Sequence, residues 1–75
     1  MSDMKPEMKH ILTVLFDTPE GAMRVTQIAE QLEMKGQKAQ YYIDQLAKAG
    51  LVDLNFYHCY LSAEGRAYVM EELGG

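Results

Sequence analysis

The chain has one cysteine, two histidines and no tryptophan. Cys59 alone can form no internal disulfide. His58 beside it would point to the opposite face of a strand, and with His10 as the remaining nitrogen ligand a zinc site lacks its set of four. No metal or cofactor is expected, and Cys59 reads as a small buried hydrophobe. A glycine-rich phosphate loop and a His-Glu-x-x-His helix are also missing, and 75 residues leave little room for a substrate cleft, so no enzyme is expected. Cations are scarce: 7 Lys and Arg stand against 11 Asp and Glu, a net charge of -4. That sign repels a phosphate backbone, so any argument for nucleic acid must be local. The longest apolar stretch, "ILTVLF", is broken by Thr13 and is far short of the roughly 20 residues that cross a bilayer. The opening "MSDMKPEMK" carries acids where a secretory leader has bases, so a cytoplasmic location with no membrane contact is expected.

What is present is enough apolar side chain to fold. With 48% hydrophobic and 24% charged residues the chain reads as one globular domain over 1–75, small enough that self-association would help it. Met8, Ile11, Leu12, Leu15 and Phe16 recur at helical spacing, with Pro6 suited to the first turn and "DTPEG" ending the helix. A turn or loop is expected over 18–24. Thr26 then offers an N-cap for a short second helix carrying Ile28, Ala29 and Leu32 on one face. After a break at Lys35 to Gln37, a third helix buries Ala39, Tyr42 or Ile43, Leu46 and Ala47, and stops at Gly50 with Lys48 in its last turn. "LVDLNF" and "YHCYLS" predict a hairpin reversing at Asn55 to His58, with Tyr57, Cys59 and Leu61 on one face. Ser62 can cap a fourth helix whose Ala67, Met70 and Leu73 point one way, broadened by Val69.

Three helices, a hairpin and a fourth helix resemble a winged helix-turn-helix domain, mainly α with a small β-hairpin in the order α-α-α-β-β-α. "TQIAEQLEMKGQKAQYYIDQLAKAGLV" resembles the MarR-like and ArsR-like bacterial regulators, and "YLSAEGRAYV" resembles the strand-to-helix junction that closes their wing. Two departures stand out. Glu33 occupies the turn between the second and third helices, where those proteins most often have Gly, so the turn must take another geometry or hold a non-Gly residue with strain. The hairpin tip "NFYH" has no Lys or Arg, whereas wings that enter a minor groove usually carry one.

The resemblance implies that the third helix enters a major groove of double-stranded DNA. Its outward positions would be Gln37, Lys38, Gln40, Tyr41, Asp44 and Gln45. Gln37, Gln40 and Gln45 are candidate base readers, because an amide can pair bidentately with adenine; Lys35, Lys38 and Lys48 would meet phosphate or guanine, and Arg24 would meet phosphate. Gln and Lys are also ordinary soluble residues of a helix surface. From 35 to 48 the net charge is plus two, from three Lys and one Asp, which makes this the basic cluster of the chain. About four phosphate contacts would hold random duplex only weakly, so DNA binding calls for a homodimer or a partner domain; the dimer surface is expected on helices 1 and 4 at Met4, Met8, Tyr68, Val69 and Leu73. Adjacent Tyr41 and Tyr42 cannot both face the core. The alternative is a protein-interaction module: the same acidic fold holding a protein partner through Phe56, Tyr57 and His58 at the hairpin.

Overall fold

The computed structural model describes residues 4–74. Its elements are α1 (Pro6–Asp17), β1 (Ala22–Arg24), α2 (Val25–Gln31), α3 (Gly36–Lys48), β2 (Val52–Asn55), β3 (His58–Leu61) and α4 (Ala63–Glu72). The helical periodicity of α1 buries Ile11, Leu12 and Leu15 completely and leaves Met8 and Phe16 half-buried on the flanks. Pro6 begins the helix, and Thr18 ends it by donating its backbone N–H to Val14 and Leu15 and its hydroxyl to Val14 O at 2.8 Å.

The segment expected to be a loop contains a strand. Residues 22–24 pair antiparallel with β3, Ala22 opposite Tyr60, Met23 opposite Cys59 and Arg24 opposite His58, so the hairpin becomes a three-stranded sheet in the order β1-β3-β2. Three residues carry no periodicity of their own; their partner lies 34 or more positions away, and the strand exists only because β3 supplies its hydrogen bonds. The strand also moves the start of α2. Arg24, not Thr26, is the N-cap: Val25 N–H donates to Tyr57 O at 3.0 Å, and the Gln27 side chain accepts from Arg24 N–H at 3.1 Å. The sheet delivers the chain into helical geometry before Thr26 can cap it.

The turn between α2 and α3 closes by two backbone bonds, Met34 N–H to Ala29 O (2.9 Å) and Glu33 N–H to Glu30 O (3.2 Å). This is the Schellman pattern, and its left-handed residue is Glu33 at φ 54°. The end of α3 repeats it, with Leu51 donating to Leu46 and Gly50 to Ala47, and there the left-handed residue is Gly50 at φ 80°. The turn therefore keeps its ordinary geometry and holds glutamate in a glycine conformation. Helix α3 itself begins at Gly36 with Lys35 as N-cap, so the expected break is shorter than the sequence suggests.

One core joins Ile11, Leu12 and Leu15 of α1, Ile28 of α2, Tyr42, Ile43 and Leu46 of α3, Val52 and Cys59 of the sheet, and Val69 of α4. Ser62 caps α4 as expected, accepting from Gly65 N–H at 2.9 Å while donating its hydroxyl to Gly50 O at 2.7 Å. The buried face of α4 is rotated from the expected one: Gly65 and Val69 are buried, Tyr68 and Leu73 half-buried, and Ala67 and Met70 face outward. The cause is Gly65. A Cβ there would collide with the Leu51 carbonyl and come within 2.8 Å of Leu61 Cδ1, so only glycine lets the helix settle against the α3–β2 junction.

Candidate nucleic-acid interface

Helix α3 packs through Ala39, Tyr42, Ile43 and Leu46. On the opposite side Gln37, Tyr41 and Lys48 follow at helical spacing and form an outward ridge, with Asp44 half-buried along it. Tyr42 is thus the core tyrosine and Tyr41, 58% exposed, the surface one. Their rings meet edge to face at 5.6 Å. Lys35 is exposed at the helix start.

The remaining candidates lie to the sides of this ridge. Lys38 Nζ stands 3.6 Å from Glu7 Oε2 of α1 and 6.0 Å from the Tyr42 ring, so its charge is shared with the body. Backbone hydrogen bonding at the free N–H end of α1, and then Lys38, hold the Glu7 carboxyl below its ordinary range. Gln40 donates its amide N–H to Asp44 Oδ1 at 2.9 Å, which leaves its carbonyl oxygen and second amide hydrogen free. Gln45 is half-buried and, with Met4, Met8, Tyr41, Tyr42 and Ala49, lines a groove of about 350 Å³ between the start of α1 and α3. Arg24 is not on α3 at all; it is exposed on β1, in register with His58.

The hairpin turns through Phe56 and Tyr57, which are 92% and 78% exposed. Phe56 does not fold back on α3, and it sits at φ 59°, a left-handed conformation that a bulky residue rarely takes. Behind the tip, Arg24, His58 and Asn55 are opposite one another across the three strands and therefore share a face. The part Asn55 plays in this row is not legible in the sequence, because it depends on register. His58 and Tyr60 stack at 6.2 Å on the same face.

The surface expected for a dimer changes as well. Val69 is fully buried in the core and is removed from it, while Met4, Met8, Tyr68 and Leu73 are half-buried against the core; Met70, 57% exposed, is the large apolar side chain that α4 presents outward. Cys59 is fully buried, and burial, reinforced by Asp53, pushes its thiol up to about 12. Among the described residues no His, Cys, Asp and Glu side chains gather as metal ligands, and no helix is long and apolar enough to cross a membrane.

No protein-family model and no curated protein matches the chain. Solved structures do. Sco5413 of Streptomyces coelicolor, a MarR family transcriptional regulator, superposes with a TM-score of 0.78 at 23% identity over 84% of this chain. The YusO protein of Bacillus subtilis superposes at 0.83 with 24% identity over 95% of it. The chain spans about half the length of each, 47% and 54% respectively. The four helices and the three-stranded sheet thus form the winged helix-turn-helix fold that the sequence pattern resembles, shared with a MarR family regulator.

Proposed function

We propose that the chain is a DNA-binding regulator, of transcription or of a mobile element, that lays α3 in the major groove of duplex DNA and acts in the cytoplasm as a homodimer paired through α1 and α4. The observation that carries this reading is the outward ridge of α3: Gln37, Tyr41 and Lys48 are exposed on the second helix of a helix-turn-helix, the one that enters a groove in proteins that read DNA this way. In this reading Gln37 and Gln40 meet base edges, Lys35 and Lys48 meet phosphates, and Tyr41 contacts a base or a phosphate. Lys38 adds its charge from the α1 side and Gln45 lies at the edge of the contact. Arg24 belongs to the wing.

Fluorescence anisotropy with labelled random and genomic duplex, at about 50 and 200 mM salt, tests it. Arg24, Lys35, Lys38 and Lys48 would neutralise about four phosphates per protomer, so affinity should fall roughly 150-fold across that range for a monomer and more steeply for a dimer. Gln37→Glu with Lys48→Glu should abolish binding. The alternative function, a protein-interaction module, has its own support in the exposed Phe56 and Tyr57 on an acidic body. It predicts no duplex binding and capture of a protein partner that is lost in Phe56→Ala but not in the α3 variants.

A further inference from the structure

We propose that the wing tip is an aromatic wedge: Phe56, with Tyr57 beside it, inserts from the minor groove into a base step of duplex DNA, while Arg24, His58 and Asn55 follow the groove behind it. The inference rests on the DNA-binding reading and adds what the hairpin does there.

Three observations meet at this point. Phe56 is 92% exposed and touches no core, yet it is held at φ 59° in a two-residue turn whose usual residues are Gly and Asn. An exposed side chain gives the fold nothing in return for that strain, and strained residues of this kind collect where a protein binds. The second observation is charge. Asn55, Phe56, Tyr57 and His58 include no acid, and Arg24 pairs with His58 in the first row behind the turn, while Asp53 stands one pair further back on the same face, opposite Tyr60, so on an acidic body the tip itself is neutral with one cation at its base. Apolar wedges backed by Arg and Asn suit the minor groove, where the wedge unstacks a step and the polar groups take the A·T acceptors. The third is rigidity. Val25 N–H donates to Tyr57 O at 3.0 Å, fastening the tip to the first residue of α2, so the wing is held to the helix-turn-helix unit rather than trailing from it. This also answers the missing Lys or Arg at the tip: the cation comes from β1, a strand the hairpin sequence does not contain.

The test uses the full chain and a fluorescein-labelled duplex carrying 2-aminopurine at a TA step, a step that unstacks easily. Wild type should bind with a rise in 2-aminopurine emission, and should prefer a duplex with a mismatch at that step, because the unstacking is already done. Phe56→Gly should lose the emission rise and the mismatch preference and bind about tenfold more weakly, the scale of one base–aromatic stack. Its melting temperature should meanwhile rise by a few degrees, because glycine accepts the left-handed turn, which separates lost function from lost fold. Phe56→Ala, which keeps the strain, should lose binding without that rise. Wild-type binding that Phe56→Gly leaves unchanged, with a flat emission, overturns the wedge and leaves α3 as the reader and the tip to a protein partner. If wild type binds no duplex at all, including under low salt, the DNA reading falls and the wedge falls with it.

Discussion

Replacing Glu33 with glycine should make this protein more stable, although it removes a side chain and adds none. Glu33 and Gly50 hold the same place in two Schellman turns, at φ 54° and 80°, with the same pair of backbone bonds. A left-handed L-residue costs about 1–2 kcal/mol, and the extra freedom that glycine gives the unfolded chain returns about 0.4–1 kcal/mol of that. Glu33 is exposed and makes no hydrogen bond or ion pair through its side chain among the described residues, so nothing else changes. The net expectation is a gain of about 0.5–1 kcal/mol. For 75 residues the unfolding entropy is about 0.16 kcal/mol per degree, so the melting temperature should rise by about 3–6 °C. Thermal unfolding followed by circular dichroism measures this, with Glu33→Ala as control: alanine removes the same carboxylate but keeps the Cβ, and should move the midpoint by less than about 1 °C. Gly50→Ala should be the mirror experiment, destabilising by about 0.5–1 kcal/mol, since its Cβ would meet only the Glu64 side chain at 3.7 Å and the left-handed penalty is offset in part by the same unfolded-state entropy. Equal stabilisation by glycine and alanine at 33 would refute the argument and assign the effect to charge.

Other perturbations test the junction around α4 and the buried thiol. Gly65→Ala should destabilise by about 2–3 kcal/mol in urea denaturation, because the new methyl meets the Leu51 carbonyl and Leu61 and the whole helix must shift. Ser62→Ala removes both the cap on Gly65 N–H and the bond to Gly50 O, and should lower stability by about 1–2 kcal/mol with no change in m-value. Cys59, raised to about 12 from 9.0, holds its proton more tightly folded than unfolded, so its contribution is complete below about pH 9 and is lost as pH climbs from there towards 12. Stability should fall by up to about 1.4 kcal/mol per pH unit in that window, and Cys59→Ala, less stable at neutral pH, should lack that part of the alkaline loss. Lys38→Ala should leave the thermal unfolding midpoint nearly unchanged, since its pair with Glu7 is open to solvent; a clear loss would mean the pair anchors α1 on α3.

Much of the fold that positions the candidate site is legible in the sequence. The stripes of α1 and α3, the Gly50 stop and the Ser62 cap are local patterns, and each lies within a few residues of where the sequence puts it. The assignment of Tyr41 and Tyr42 is not, because both sit within reach of the buried stripe and only packing against α1 and α2 selects Tyr42. The surroundings of two candidate cations are set by partners far along the chain: Lys38 lies 3.6 Å from Glu7, and Arg24 joins the sheet opposite His58.

The sequence by itself determined the helices, the Gly50 stop, the Ser62 cap, a reversal within Asn55 to His58, and the scarcity of cations, because all of these are set by spacing, by residue chemistry within one turn, or by composition. Tertiary structure alone decided the strand at 22–24, the N-cap at Arg24, the rotation of α4 on Gly65 and the row Arg24–His58–Asn55. Each of these depends on groups far apart in the chain whose hydrogen bonds or van der Waals surfaces meet only after collapse, and no local signal carries that information.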